Sequence, residues 1–165
     1  MNLSDERIAL THEDASEWNR KLLDKCISTK RNILLERVFK DAQKLRGILQ
    51  RLRAEGYVIK FCVVAVHERY SVWGIHERYE RERVERGHGR FVPIDYHTEC
   101  YQRLLDSVDM IEAESAVDRL EIFNRGGVLI MEHDFEPNTS PANAKTTIES
   151  SSIRARVGAS LRIHE

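Results

Sequence analysis

Apolar positions along the chain change period several times, and each change marks an element. Ala15, Trp18, Leu22, Leu23, Cys26 and Ile27 recur at helical spacing, which predicts an amphipathic helix ending near Ser28. Thr11-His12-Glu13-Asp14 reads as the capping box that starts it. Asn32-Ile33-Leu34-Leu35-Glu36 is a short apolar run closed by a carboxylate, the pattern of a buried parallel strand ending in a functional side chain. Val38, Ala42, Leu45, Leu49 and Leu52 form the stripe of a second helix, and Gly56 is its natural stop. Tyr57 to Val66 is rich in β-branched residues and almost wholly apolar after Lys60, the strongest strand signal in the chain. Strand, helix, strand in this rhythm predicts right-handed crossovers and a parallel sheet covered by helices.

The rhythm continues after a charged interlude. Pro93 fits the first turn of a helix whose core positions are Tyr101, Leu104, Leu105, Val108 and Ile111. Arg119 to Asn124 and Val128 to Met131 read as two short strands around a Gly126-Gly127 turn. Beyond Asp134 the composition shifts to Asn, Ser, Thr and Ala, where Ser140-Pro141 caps at most one further helix, to about Arg156. The expected layout is a short lead over residues 1–10, a domain over 11–133 and a polar segment over 134–165.

The interlude itself, Ser71 to Pro93, carries Arg78, Arg81, Arg83, Arg86 and Arg90 around a Gly87-His88-Gly89 corner. Arginines on either side of a flexible corner form a plausible clamp for an anion, because guanidinium is always charged and donates in a planar fork. The same residues also form i,i+4 pairs, Glu77/Arg81, Arg78/Glu82 and Glu82/Arg86, that would lace a solvated helix. Composition separates these readings only a little. Net charge is −1 over 165 residues, and glutamates interleave the arginines, so nucleic-acid binding is not expected. Three distant cysteines fit buried thiols in a reducing compartment, and the longest apolar run is too short for a bilayer, so the expected location is cytoplasmic and not membrane.

Motif tests exclude more than they include. Neither His67-Glu68 nor His76-Glu77 is followed by the second histidine of HExxH, so no metal site is expected. GxSxG is absent, and none of the eight glycines precedes a lysine, so these residues carry no GxxxxGK[ST] phosphate loop.

Taken together, however, Thr11-x-x-Asp14-Ala15-x-x-Trp18, Ile33-Leu34-Leu35-Glu36, Gly56-Tyr57, Ser71-x-x-Gly74-x-x-x-Arg78-Tyr79-Glu80, Arg90-x-x-Pro93 and Ile122-Phe123-Asn124-Arg125 resemble the zeta toxin family over roughly residues 11–132. That family comprises P-loop kinases of toxin–antitoxin modules that phosphorylate UDP-N-acetylglucosamine with ATP. The resemblance implies an α/β fold, a partial P-loop-kinase-like parallel sheet flanked by helices and lacking the first strand and P-loop. It implies that Arg78 and Arg90 contact ATP phosphates and that Glu36 contacts the sugar nucleotide. Glu36 reads equally as a strand-end carboxylate pairing with Lys40 or an arginine.

Two departures shape the functional expectation. Glu36-Arg37-Val38 stands where the family has Glu-Gly-Thr, and the family's Walker loop and general-base aspartate lie upstream of its match to Thr11. ATP and Mg²⁺ are therefore cofactors implied by the family, no residue of this chain is assigned as catalytic, and the chain is expected to be inactive alone. The alternative is a non-catalytic remnant or a partner-binding module, its partner an antitoxin or a complementing N-terminal chain. Without the P-loop strand, the strands at Ile33–Leu35 and Tyr57–Val66 are expected to lack a shared neighbour and to leave their edges open.

Overall fold

The order of elements in the computed structural model, which describes residues 3–136, 143–150 and 159–164, is α1 (Leu3–Ser28), β1 (Ile33–Arg37), α2 (Ala42–Ala54), β2 (Val58–Ala65), α3 (Glu68–Arg86), α4 (Ile94–Glu114), β3 (Arg119–Asn124), β4 (Leu129–Asp134), α5 (Ala144–Ser150) and β5 (Ala159–His164). The five strands form one sheet in the order β1-β5-β2-β3-β4. β2 and β3 are parallel, while β5 runs antiparallel to both β1 and β2, and β4 antiparallel to β3. Strands β1, β2 and β3 thus share one direction, as their helical crossovers require. The sheet as a whole is mixed, where a parallel one was expected.

The open edges expected between β1 and β2 are closed by the chain's own C-terminal strand. Ile33 and Ile59 both register with Ile163, and Leu35 and Phe61 both register with Leu161. The C-terminal stretch read as polar with at most one helix therefore supplies a central strand as well as α5, and the part of that helix expected beyond Ser150 lies outside the described residues.

One face of the sheet carries the core. Ile59, Phe61 and Val63 of β2 and Leu120 and Ile122 of β3 pack with Leu45, Leu49 and Leu52 of α2, Leu104, Val108 and Ile111 of α4, and Ile148 of α5. These helical stripes match the apolar spacing, except that Val38 lies before α2 and is exposed. Strand β1 is not the buried strand expected. It lies at the sheet margin, and Leu34 on its uncovered face is 66% exposed. Helix α1 likewise begins well before the expected capping box, and its backbone is already helical through Thr11–Asp14. Among its described side chains Ile27 joins the core, whereas Trp18 and Leu22 are 72% and 62% exposed.

The opposite face carries charge. Glu121, largely buried, accepts from Lys60 Nζ at 2.8 Å and Arg119 Nε at 2.8 Å, and Arg119 also pairs with Asp134 at 2.9 Å and with Glu132. Burial alone would push the Glu121 carboxyl up, but the Lys60 and Arg119 hydrogen bonds outweigh it and hold the group below the usual carboxylate range. Depression in the folded state means that the contribution is complete above the unfolded carboxyl's titration and is lost as pH falls through the folded one. Glu121→Gln is expected to cost about 1–3 kcal/mol at neutral pH. In denaturant melts the gap to the parent chain should close on acidification; a gap independent of pH would contradict this account.

Candidate functional site

Two local devices bring distant residues to one cleft. The first follows β1. Phe39 is buried against Phe61, with ring centroids 5.4 Å apart, and its carbonyl accepts from Ser107 Oγ of α4 at 2.6 Å. Lys40 lies 4.3 Å from the centroid of the Tyr96 ring and 3.4 Å from Glu99, so it is not the partner of Glu36. Asp41 then caps α2 by accepting from the Lys44 amide at 3.0 Å. Pinned in this way, the chain turns at the C-terminal end of β1 and leaves Glu36, Arg37 and Val38 in the cleft, the end of a strand at which α/β sheets present ligands.

The second device is the glycine corner. Helix α3 stops at Gly87, whose left-handed φ of 75° suits a residue without Cβ and whose N–H donates to the Arg83 carbonyl at 2.9 Å. Gly89 then lies so close to α3 that a Cβ there would sit 2.4 Å from the Tyr79 carbonyl oxygen. Phe91 meets the Tyr79 ring edge-on at 5.6 Å, and the Arg90 amide donates to Glu82 Oε2 at 2.9 Å. The corner is thereby folded back onto its own helix, and Arg90 is delivered to the cleft.

The cleft, about 950 Å³, is also walled by Arg20 and Asp24 of α1 and by Lys44 and Arg51 of α2, with Tyr96 at the start of α4. Asp24 pairs with Arg51 and, at 3.5 Å, with Arg20. The Arg51 hydrogen bond is the main cause that holds the Asp24 carboxyl below its ordinary range. Lys44 pairs with Asp41 at 3.5 Å. Among the described residues, Arg37 and Arg90 have no ion-pair partner, and they leave the cleft suited to an anion.

The structure therefore brings Glu36 and Arg90 together on one cleft, while Arg78 stands on α3 and is not part of the described lining. Arg78 is half-buried, and its Nε is buried without a hydrogen-bond partner. Arg78 and Arg90 both act on Glu82, whose carboxyl is held low chiefly by the Arg90 amide and, against desolvation, by the charges of Arg78, Arg86 and Arg81. None of the i,i+4 pairs expected along α3 closes to an ion pair; Glu80 and Arg83 meet instead at 3.4 Å. Arg37 was legible only as a departure from a family pattern, and its strand-end position next to Glu36 was the available signal. Of the groups that the family resemblance implies, ATP would find in Arg90 a guanidinium suited to phosphate.

Comparison with known proteins follows the same outline. The family model described as zeta toxin matches residues 3–135. The toxin PezT of Streptococcus pneumoniae serotype 4 (strain ATCC BAA-334 / TIGR4) is 22% identical over 138 residues, covering 83% of this chain and 54% of that relative. A structure from the molecular and structural characterization of the PezAT chromosomal toxin–antitoxin system of the human pathogen Streptococcus pneumoniae aligns with a TM-score of 0.67 at 20% identity, over 84% of this chain and 53% of its own. The chain thus spans about half the length of the relatives it matches.

Gly89→Ala tests the corner directly. The added methyl meets backbone, not the far end of a flexible side chain, so the corner must lift from Tyr79. A loss of about 1–3 kcal/mol in thermal or denaturant stability is expected, with Gly87→Ala costing less, about 1 kcal/mol, for its positive φ alone. Wild-type stability in Gly89→Ala would contradict the packing described.

Proposed function

The chain belongs to the zeta toxin family, and we propose that it binds a nucleotide diphosphate sugar, UDP-N-acetylglucosamine by family, without phosphorylating it on its own. The convergence of Glu36 and Arg90 with Arg37 on one cleft supports the reading most strongly. A diphosphate needs fixed guanidinium donors, and a sugar hydroxyl can donate to a carboxylate such as Glu36. Phosphoryl transfer depends chiefly on positioning the triphosphate, and these residues hold no GxxxxGK[ST] loop to do so. Binding without turnover is the consequence. Of the two arginines to which the family implies a phosphate-contacting role, Arg90 keeps it, while Arg78 stands outside the described lining; ATP and Mg²⁺ enter only where a triphosphate-holding loop is also present.

A partner-binding role stands as a second reading, favoured by the exposed Trp18 and Leu22 of α1. Such side chains fit a protein partner, and an antitoxin is the class of partner that the toxin–antitoxin relatives point to. Trp18→Ala with Leu22→Ala is expected to weaken antitoxin binding while leaving the cleft's ligand affinity unchanged, since neither residue is part of the described lining.

Calorimetric titration of the 165-residue chain with UDP-N-acetylglucosamine tests the first reading. Arg90→Ala and Arg37→Ala should each weaken binding about tenfold or more, the loss of a charge-assisted hydrogen bond. Arg83→Ala, whose side chain pairs with Glu80, should leave it unchanged. Absence of binding, or equal effects of all three, would overturn the proposal, as would sugar-dependent ATP consumption by this chain.

A further inference from the structure

The position of β5 in the sheet carries a consequence for how copies of this chain associate. Its six residues, Ala159–His164, lie in register with β1 on one side and β2 on the other. Among the described residues β1 has no other sheet neighbour, so the β1–β2 pairing exists only through a strand from the far end of the chain. A departing β5 leaves two facing strand edges in the middle of the sheet, a gap that another strand of the same register fills with the same ladders.

The element before it is anchored elsewhere. Ala144 and Ile148 of α5 are buried, and the α5 amide at Ala144 donates to the Glu112 carboxylate of α4 at 3.0 Å. Lys145 pairs with Asp109 of α4 at 2.6 Å. Residues 151–158 join this anchored helix to the strand, a length that reaches at most roughly 26–29 Å. A strand paired on both edges by backbone ladders that a second copy reproduces, and joined to a helix anchored elsewhere, is the arrangement from which strand exchange proceeds.

We propose that two copies of this chain exchange their Ala159–His164 strands, each filling the β1–β2 slot of the other. The exchange also reaches the cleft. Glu36 registers with Ser160 and Arg37 with Ala159, so in the exchanged dimer the partner copy's strand runs beside the strand that carries both cleft residues.

Leu34 and Arg162 are register partners, and Leu34 is exposed, so the full chain carrying Leu34→Cys and Arg162→Cys reports where each strand lies. Equal amounts of ¹⁴N- and ¹⁵N-labelled protein are mixed, held in mild denaturant, returned to buffer, oxidised and digested. Exchange is expected to give Leu34–Arg162 cross-linked peptides of mixed isotope, approaching about half of all such cross-links as protein concentration rises. Cross-links confined to one isotope at every concentration would overturn exchange. Absence of the cross-link would overturn the slot assignment itself. Native mass spectrometry of the unaltered chain provides a second measurement, independent of the cysteines: mixed-isotope dimers that survive dilution are expected, and monomer alone after the same treatment would contradict the proposal.

Discussion

Everything else in this fold depends on one backbone constraint: β1 and β2 point the same way but do not touch, and a third strand must satisfy the edges they turn toward each other. The C-terminal β5 meets that demand on both sides at once, antiparallel to each. An unmet buried amide or carbonyl costs on the order of 1–3 kcal/mol, and several would be stranded in mid-sheet, against a whole-domain stability of about 5–15 kcal/mol. The β1 strand, and with it the strand-end residues Glu36 and Arg37, is held to the sheet through the last segment of the chain. Function at one end of β1 is thereby tied to a segment that is remote in sequence.

The cleft inherits its geometry from two further contacts. Burial of Phe39 against Phe61, with Ser107 on its carbonyl, fixes the turn after β1. The absence of a Cβ at Gly89 lets the corner after α3 rest on Tyr79 and carry Arg90 inward. Both are short-range packing devices, and both serve long side chains that the cleft leaves without carboxylate partners among the described residues. The ion pair of Asp24 with Arg51 holds α1 against α2, Arg20 lies 3.5 Å from the same carboxylate, and Lys44 has Asp41 as its partner. What is left over, Arg37 and Arg90 beside Glu36, is the part able to engage a ligand.

Much of this was readable in the residues, and the exceptions have physical causes. The stripes of α2 and α4, the strands β2 and β3, the Gly126-Gly127 turn and the glycine stop of α3 all follow from period and turn chemistry, which are local. Helix α1 was expected as a core element because its apolar spacing is regular, but spacing cannot say whether a face is covered, and Trp18 is exposed. Strand β5 was missed although Leu161 and Ile163 alternate with polar neighbours. Six residues after a Ser- and Thr-rich stretch make a weak signal, and it is the vacancy between β1 and β2 that makes them a strand. For the site, Glu36 and Arg90 were legible from motif resemblance. Arg37 was not, because its value comes from its place at the strand end and not from its residue type. Whether Arg78 and Arg90 share one cleft depends on how the corner folds, which no spacing encodes; the corner sends Arg90 into the cleft and leaves Arg78 on α3.

The dependence of β1 on β5 can be read one strand at a time. Amide hydrogen exchange across Ile33–Arg37 in the intact chain is the most direct measurement, because β5 is the only strand that β1 pairs with among the described residues. The account expects the inward amides of β1 to be protected to the same degree as those of β3 at Arg119–Asn124, and to lose that protection together with Ala159–His164. Fast exchange along β1 while β2 and β3 stay protected would contradict it.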